Sequence, residues 1–368
     1  MLLLLDDMSR LKPQDVSNTA WAFAILGMKH DQFLSAVMDQ LQTRMERYLS
    51  GHRRDSMVRF KGQELANALW ALATLNYSSG CSDLMNLVEA YLMDMARMKD
   101  GQITLGSIAR VLNRQEMANL CWACAVFGEY PPDMIQLLYK GLLGVGEQPD
   151  PSYVRKIHQD GGIQSSAIMS ILYLQIAMDL EQERQSTPSL PGGFPELWDG
   201  DSSKTSGDNM MENFALRLTR SKIQQSVSNA CERIGFSHME EHVIGMDTLS
   251  MDHGIQMVPN IPKEVLSIDI ANVDSQIGIE VDGPAHFVTN INDGGYGLRS
   301  GTKLIKGKLE YQFDWDSEHQ EVNGPTALKA RILEELGWCV HNLPFWEWYD
   351  LESDGQKEEK YCRSLLEN

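Results

Sequence analysis

One arrangement of apolar and polar positions occurs three times in the first third of the chain. The segments QDVSNTAWAFAILG (14–27), QELANALWALATLN (63–76) and QEMANLCWACAVFG (115–128) align without a gap. Asn18, Asn67 and Asn119 each stand three residues before a tryptophan, Trp21, Trp70 and Trp122. Apolar residues recur at three- and four-residue steps with no internal proline, which predicts a helix in each copy. The acids Asp15, Glu64 and Glu116 suit the positive end of a helix dipole, and Gly27, Asn76 and Gly128 stand where a left-handed C-cap would end it. A second helix is predicted after each copy, over 33–49, 83–98 and 132–143. Helix pairs that cannot bury their apolar faces alone, repeated along the chain, predict an α-solenoid over residues 10–182.

The alignment also settles smaller motifs. Cys121-x-x-Cys124 has the spacing of a redox or zinc half-site, but the other copies carry Ala20 and Leu69, then Phe23 and Leu72, at those places. Both thiols therefore read as small apolar core groups. The Asn-x-x-Trp signature reads as packing between repeats rather than contact with a ligand. Basic residues gather before the copies: Arg10 and Lys12, then Arg59 and Lys61 at matching offsets, then Arg110 and Arg114. Arg44, Arg47, Arg53 and Arg54 add to the second group. A row of cations at a constant place would track a phosphate backbone, so Arg44, Arg47, Arg53, Arg54, Arg59, Lys61, Arg110 and Arg114 are candidate RNA contacts. The other reading is that they cap preceding helices or solvate loops.

Composition changes this picture in one respect. The net charge of −19 argues against a nucleic-acid partner, but residues 1–182 carry only −4 of it and residues 183–368 carry −15. Six cysteines in 368 residues make no disulfide framework. The opening Leu2–Leu5 is followed by Asp6 and Asp7, unlike a secretory or transit signal, and no run approaches the roughly 18 apolar residues of a membrane span. Residues 183–209, rich in Pro, Gly, Ser and Asp, read as a flexible linker. A second domain, 210–368, opens with an amphipathic helix predicted over 212–234. The HMEEH stretch (238–242) fits a zinc-peptidase pattern, but strand-like residues follow it where that chemistry needs a long helix.

The stretch IGIEVDGPAHF (277–287) is the chemical focus of the second domain. Alternation along a strand sends Ile277, Ile279 and Val281 to one face and Glu280 and Asp282 to the other. A hairpin centred near Asp274 would set Asp269 opposite Glu280, so Asp269, Glu280 and Asp282 form a candidate Mg²⁺ site. The plainer reading is that this face meets solvent. Downstream, Thr326 is expected to cap a helix, with Lys329 and Arg331 off its apolar face, and a strand follows over 338–343.

Two resemblances add to this. The repeated wording is similar to the octotricopeptide-type helical repeats of organelle RNA-maturation proteins, of the kind met in FAST-kinase-domain proteins. Residues 267–351 resemble the RAP domain. The matching pieces are Ile268-Asp269-Ile270, the run from Ile279 to Phe287, Thr326-x-x-Lys329-x-Arg331-x-Leu333, Gly337-Trp338-x-Val340 and the run from Leu343 to Trp348. Residues 288–323 make a longer polar, acidic stretch than that family usually has.

The resemblance implies an α/β domain with the fold of PD-(D/E)xK nucleases, an upstream helical-repeat domain, and action on RNA in mitochondria or plastids. A nuclease of that type would also use Lys two residues after Glu280, where this chain has Asp282, unless Lys329, Lys303 or Lys306 takes its place. The expected function is therefore non-catalytic binding of single-stranded RNA, alongside other RNA-processing proteins, with Lys329 and Arg331 as further RNA contacts and no cofactor. The alternatives are an Mg²⁺-dependent endoribonuclease using Asp269, Glu280, Asp282, His286 and Lys329, and an acidic protein–protein scaffold.

Overall fold

A computed structural model describes residues 8–143, 165–181, 221–245, 248–249, 266–292, 299–305, 308–314 and 317–367. The expected linker, the start of the helix predicted over 212–234, and Lys306 lie outside them. The described residues divide into two compact units, one before position 209 and one after it.

The first unit is helical. Its helices are α1 (Pro13–Ile25), α2 (Asp31–Leu49), α3 (Gly62–Thr74), α4 (Cys81–Ala96), the short α5 (Leu105–Ala109), α6 (Arg114–Phe127), α7 (Pro132–Leu143) and α8 (Ser165–Glu181). The three copies form α1, α3 and α6, and each starts in the same way. The acid of each copy turns back onto the backbone N–H of the cap residue: Asp15 accepts from Lys12 at 3.1 Å, Glu64 from Lys61 at 2.8 Å and Glu116 from Asn113 at 2.7 Å. These N–H groups would otherwise be orphans of a helix start. The ends match as well, because Gly27, Asn76 and Gly128 all take positive φ.

Helices α1, α3, α6 and α8 pack side by side in that order, while α2, α4 and α7 form a second row behind them. Glu89 of α4 accepts from the N–H groups of Asp133 and Met134, so one pair caps the next. Cys121 and Cys124 are fully buried in α6. Burial pushes both thiols well above their usual range, so neither is poised as a thiolate. The run Ala167 to Leu180, longer and more apolar than its neighbours, forms α8. There Gln175 is buried with its carbonyl oxygen accepting from the Tyr139 hydroxyl at 3.0 Å.

The second unit is α+β. Helix α9 (Lys222–Arg233) precedes strands β1 (Met239–Ile244), β2 (Leu266–Asn272) and β3 (Ile277–Asp282). Then come β4 (Phe287–Asn290), β5 (Arg299–Ile305), β6 (Lys308–Asp314), β7 (Gln320–Val322), α10 (Gly324–Glu335), β8 (Cys339–Pro344), α11 (Phe345–Tyr349) and α12 (Gly355–Glu367). A sheet has the order β1-β2-β3-β8, antiparallel except that β8 runs parallel to β3. Ile270, Ile279 and Leu343 of this sheet pack against Val227, Ala230 and Cys231 of α9 and Cys362 of α12.

Several expectations shift. The HMEEH residues lie largely in β1, which is incompatible with two histidines on one helical face. The turn before β3, which the sequence places at Ala271–Gln276, is only Val273–Gln276, because strand β2 runs to Asn272. The cap of α10 is Asn323, whose side chain accepts from the Thr326 N–H at 3.0 Å, while Pro325 at the second helical position has no N–H to satisfy. The long polar stretch contains the β5–β6 hairpin and, outside it, the β4–β7 pair. Among the described residues no helix is long and apolar enough to cross a membrane.

Gly62 opens α3 against the start of α6. A Cβ there would stand 2.1 Å from the Val111 carbonyl oxygen and 2.9 Å from Glu116 Oε2. At Gly106 it would meet only Thr104 Oγ1, at 3.9 Å. Gly62→Ala is expected to cost about 2 kcal/mol or more in urea denaturation, and Gly106→Ala less than about 0.5 kcal/mol.

Candidate functional site

The carboxylates singled out in the sequence are on the sheet face opposite Ile279. Glu280 and Asp282 are buried, at 5% and 1% exposure, so this face does not meet solvent. The reason is helix α10, which packs beside β8 and brings Lys329 over β3. The ammonium nitrogen of Lys329 stands 2.6 Å from Glu280 Oε2. Asp269 uses Oδ2 to accept the Val281 N–H at 2.8 Å, which places its carboxyl between β2 and β3. Asp282 accepts from Asn342 of β8 at 2.6 Å through Oδ2.

Its other oxygen, Oδ1, lies 2.8 Å from His286 Nδ1, which the Pro284–His286 turn folds back onto it. This approach is a hydrogen bond when Nδ1 carries a proton; otherwise Oδ1 has no donor. Glu280 Oε1 has no hydrogen-bond partner.

Electrostatics follow from this burial. Desolvation pushes the Glu280 carboxyl up from 4.5 to about 7, against the pull of Lys329, with Asp269 and Asp282 adding like-charge repulsion. Burial also raises Asp269. The hydrogen bond with Asp282 raises His286, with burial opposing it. The three carboxylates thus influence one another, yet each is committed: Asp269 to a backbone donor, Glu280 to Lys329, Asp282 to Asn342 and His286.

Among the described residues no set of three His, Cys, Asp or Glu side chains is grouped to hold a metal ion. Asp269, Glu280 and Asp282 are not grouped as an Mg²⁺ site in this arrangement, because each carboxylate turns to a partner of its own. The lysine missing at position 282 has its counterpart on α10, where it serves as counter-ion. Lys303 lies in β5.

In the first unit the candidate RNA contacts separate. Arg44, expected on the surface, is buried. Its guanidinium donates to the carbonyls of Met8, Ser9 and Leu11 at 3.2, 3.3 and 2.7 Å, tying the segment before α1 to α2. That corrects its placement among RNA contacts. Arg53 pairs with Asp94 at 2.6 Å and lies over the Tyr48 ring, and exposed Arg47 faces Asp55 at 3.6 Å. Arg54, Arg59, Lys61 and Arg110 are exposed, whereas Arg114 and, in the second unit, Arg331 are half-buried. Sequence reasoning missed Asn342, which carries no motif and reaches Asp282 only through the parallel β3–β8 pairing.

Residues 279–365 match the family model described as the RAP domain. The second unit carries a RAP domain. A 100-residue stretch is 29% identical to a curated rice protein (Oryza sativa subsp. japonica) named "RAP domain-containing protein, chloroplastic". That stretch is 27% of this chain and 11% of the rice protein, so the similarity spans about a tenth of the relative's length. The RAP domain therefore takes in β3, the Lys329 helix and β8, and Asp269 on β2 stands just outside the match.

Two outcomes are expected of this cluster. Lys329→Met leaves a buried carboxylate without its counter-ion and should cost about 3 kcal/mol in urea denaturation, and adding Glu280→Gln should recover most of the loss. A carboxyl raised in the fold binds more protons folded than unfolded, so its contribution is lost as pH rises from about 4.5 through 7. His286, also raised, contributes below 6.5 and loses that contribution as pH rises through its folded value. Both act in the same direction. Stability should fall by about 3 kcal/mol between about pH 4.5 and pH 8, and Glu280→Gln should flatten most of this slope.

Proposed function

We propose that this protein binds single-stranded RNA without cleaving it, acting in RNA processing, stability or translation in a plastid or mitochondrion. The helical unit serves as an α-solenoid of octotricopeptide-like repeats that carries the strand. The RAP domain, with a PD-(D/E)xK-like fold, assists recognition or recruits other RNA-processing proteins. The observation that carries this reading is the set of cations around the starts of the row helices. Lys12 and Lys61 occupy the same cap position of α1 and α3, with Arg59 and Arg110 exposed nearby. Cations so repeated meet a polyanion at regular intervals.

The RAP domain supports an RNA-related role, and the chloroplastic rice relative supports an organellar one. Lys329 stands beside Glu280 where a relocated nuclease lysine would stand, but among the described residues no three His, Cys, Asp or Glu side chains are grouped to hold the metal ion that the nuclease alternative needs.

Binding of labelled single-stranded RNA should weaken as salt rises. Lys61→Ala should reduce the slope of log affinity against log salt by about 0.7 to 1 while affecting all sequences alike. Affinity independent of salt would instead favour an acidic protein–protein scaffold. With Mg²⁺ present the RNA should be recovered intact; cleavage that disappears in Asp269→Ala would establish the enzyme.

A further inference from the structure

The row helices reserve one narrow strip of surface for a recurring set of side chains. In α3 every residue from Gly62 to Ala73 is buried except Gln63, Asn67 and Trp70, which fall at i, i+4 and i+7 on one face. In α6, between Met117 and Val126, only Asn119 and Trp122 reach solvent. In α1 Asn18 is exposed and Trp21 is 44% exposed. Helix α8 supplies a fourth, degenerate version that the motif alone does not reveal. Its Ser170 and Tyr173 are the half-buried pair with the same three-residue step, and the Tyr173 ring meets Trp122 edge-on at 6.1 Å between centroids.

Packing between repeats, the reading given to Asn-x-x-Trp from the sequence, accounts for the Trp122–Tyr173 contact but not for the recurrence of the pair on the one open strip. Residues chosen only to fill space between helices have no need of an amide on the one open strip of an otherwise buried helix. An amide followed one turn later by a flat ring in α1, α3 and α6, with Ser170 and Tyr173 at the same step in α8, is a surface for flat ligands with hydrogen-bonding edges. Cations stand at the starts of α1 and α3, Lys12 two residues before Gln14 and Lys61 two before Gln63, where α6 has Asn113. At about 1.5 Å per residue, the ring lies roughly 13 Å along the helix from the cap cation, with the amide between them. Cation, amide and ring thus succeed one another as phosphate, base edge and base face do in a nucleotide lying along the helix.

We infer that the strip is a base-contacting ladder. Bases of single-stranded RNA stack on Trp21, Trp70, Trp122 and Tyr173, and the amides of Asn18, Asn67 and Asn119 contact their edges, one nucleotide per helix pair. The inference rests on the RNA-binding reading above and specifies its contact surface.

The test is fluorescence polarisation of the full chain with labelled oligoadenylate and oligouridylate over a salt series, with single-stranded DNA of matched sequence alongside. Trp21→Ala, at an exposed place, should weaken both RNAs by roughly 5- to 100-fold and leave the salt slope unchanged, the reverse of Lys61→Ala. Asn67→Ala should change the ratio of the two RNA affinities, and Asn67→Ser provides a milder second variant, with melting curves confirming the fold. Equal loss on the matched DNA supports stacking as the source.

Salt-dependent RNA binding that both Trp21→Ala and Asn67→Ala leave intact overturns the ladder while the RNA-binding reading stands. A wild-type chain that ignores RNA at low salt overturns both. Unchanged RNA affinity together with altered self-association in sedimentation would make the strip a contact between copies, and also overturns the ladder.

Discussion

A carboxylate inside a sheet is tolerable only if something pays back its lost hydration, and in the RAP domain that is Lys329. The side chain of Glu280 is almost fully buried, and the ammonium from α10 reaches it at 2.6 Å. The pair fixes where α10 crosses the sheet. It also divides the two faces of β3: one is sealed by apolar groups from α9 and α12, the other by charge and hydrogen bonds. His286, Asn342 and the Val281 N–H then have defined partners, because the carboxylates they meet have been drawn inside. Apolar contact on one face stabilises by area; on the other, geometry must be met or the charge is stranded.

The helical unit depends on a different economy. Each copy carries its own start signal, an acid three residues into the helix, and its own stop, a residue able to take positive φ. Such signals are local, so the same letters yield the same element wherever they recur. The interior places of the copies exchange freely among alanine, leucine, phenylalanine and cysteine, since burial asks only for apolar groups of compatible size.

That difference explains what could be read in advance. The three row helices, their ends and the core role of Cys121 and Cys124 were legible because they depend on neighbours in sequence. The alternation of β3 and the approach of Asp269 to it were legible from the period of a strand and the reach of a short hairpin. The partners were not. Lys329 lies 49 residues from Glu280, and Asn342 lies 60 from Asp282, both across a parallel crossover whose register no local pattern sets. Arg44 misled for a related reason: a cation in a basic run looks solvent-facing until three carbonyls 33 to 36 residues away close over it. Tyr173 escaped because its copy keeps the ring while losing the asparagine.

Trp21, Trp70, Trp122 and Tyr173 are unevenly spaced in the chain, yet they stand on helices α1, α3, α6 and α8, which pack side by side in that order. The surplus residues are spent in the connectors, such as those at 50–61 and 97–113. What brings one aromatic to the next is the packing of helices whose axes lie about 8–10 Å apart, and not the count of residues between them; the Trp122 and Tyr173 rings thereby come to 6.1 Å. Connectors can therefore drift in length without altering the pitch of the array, whose ruler is the width of a helix.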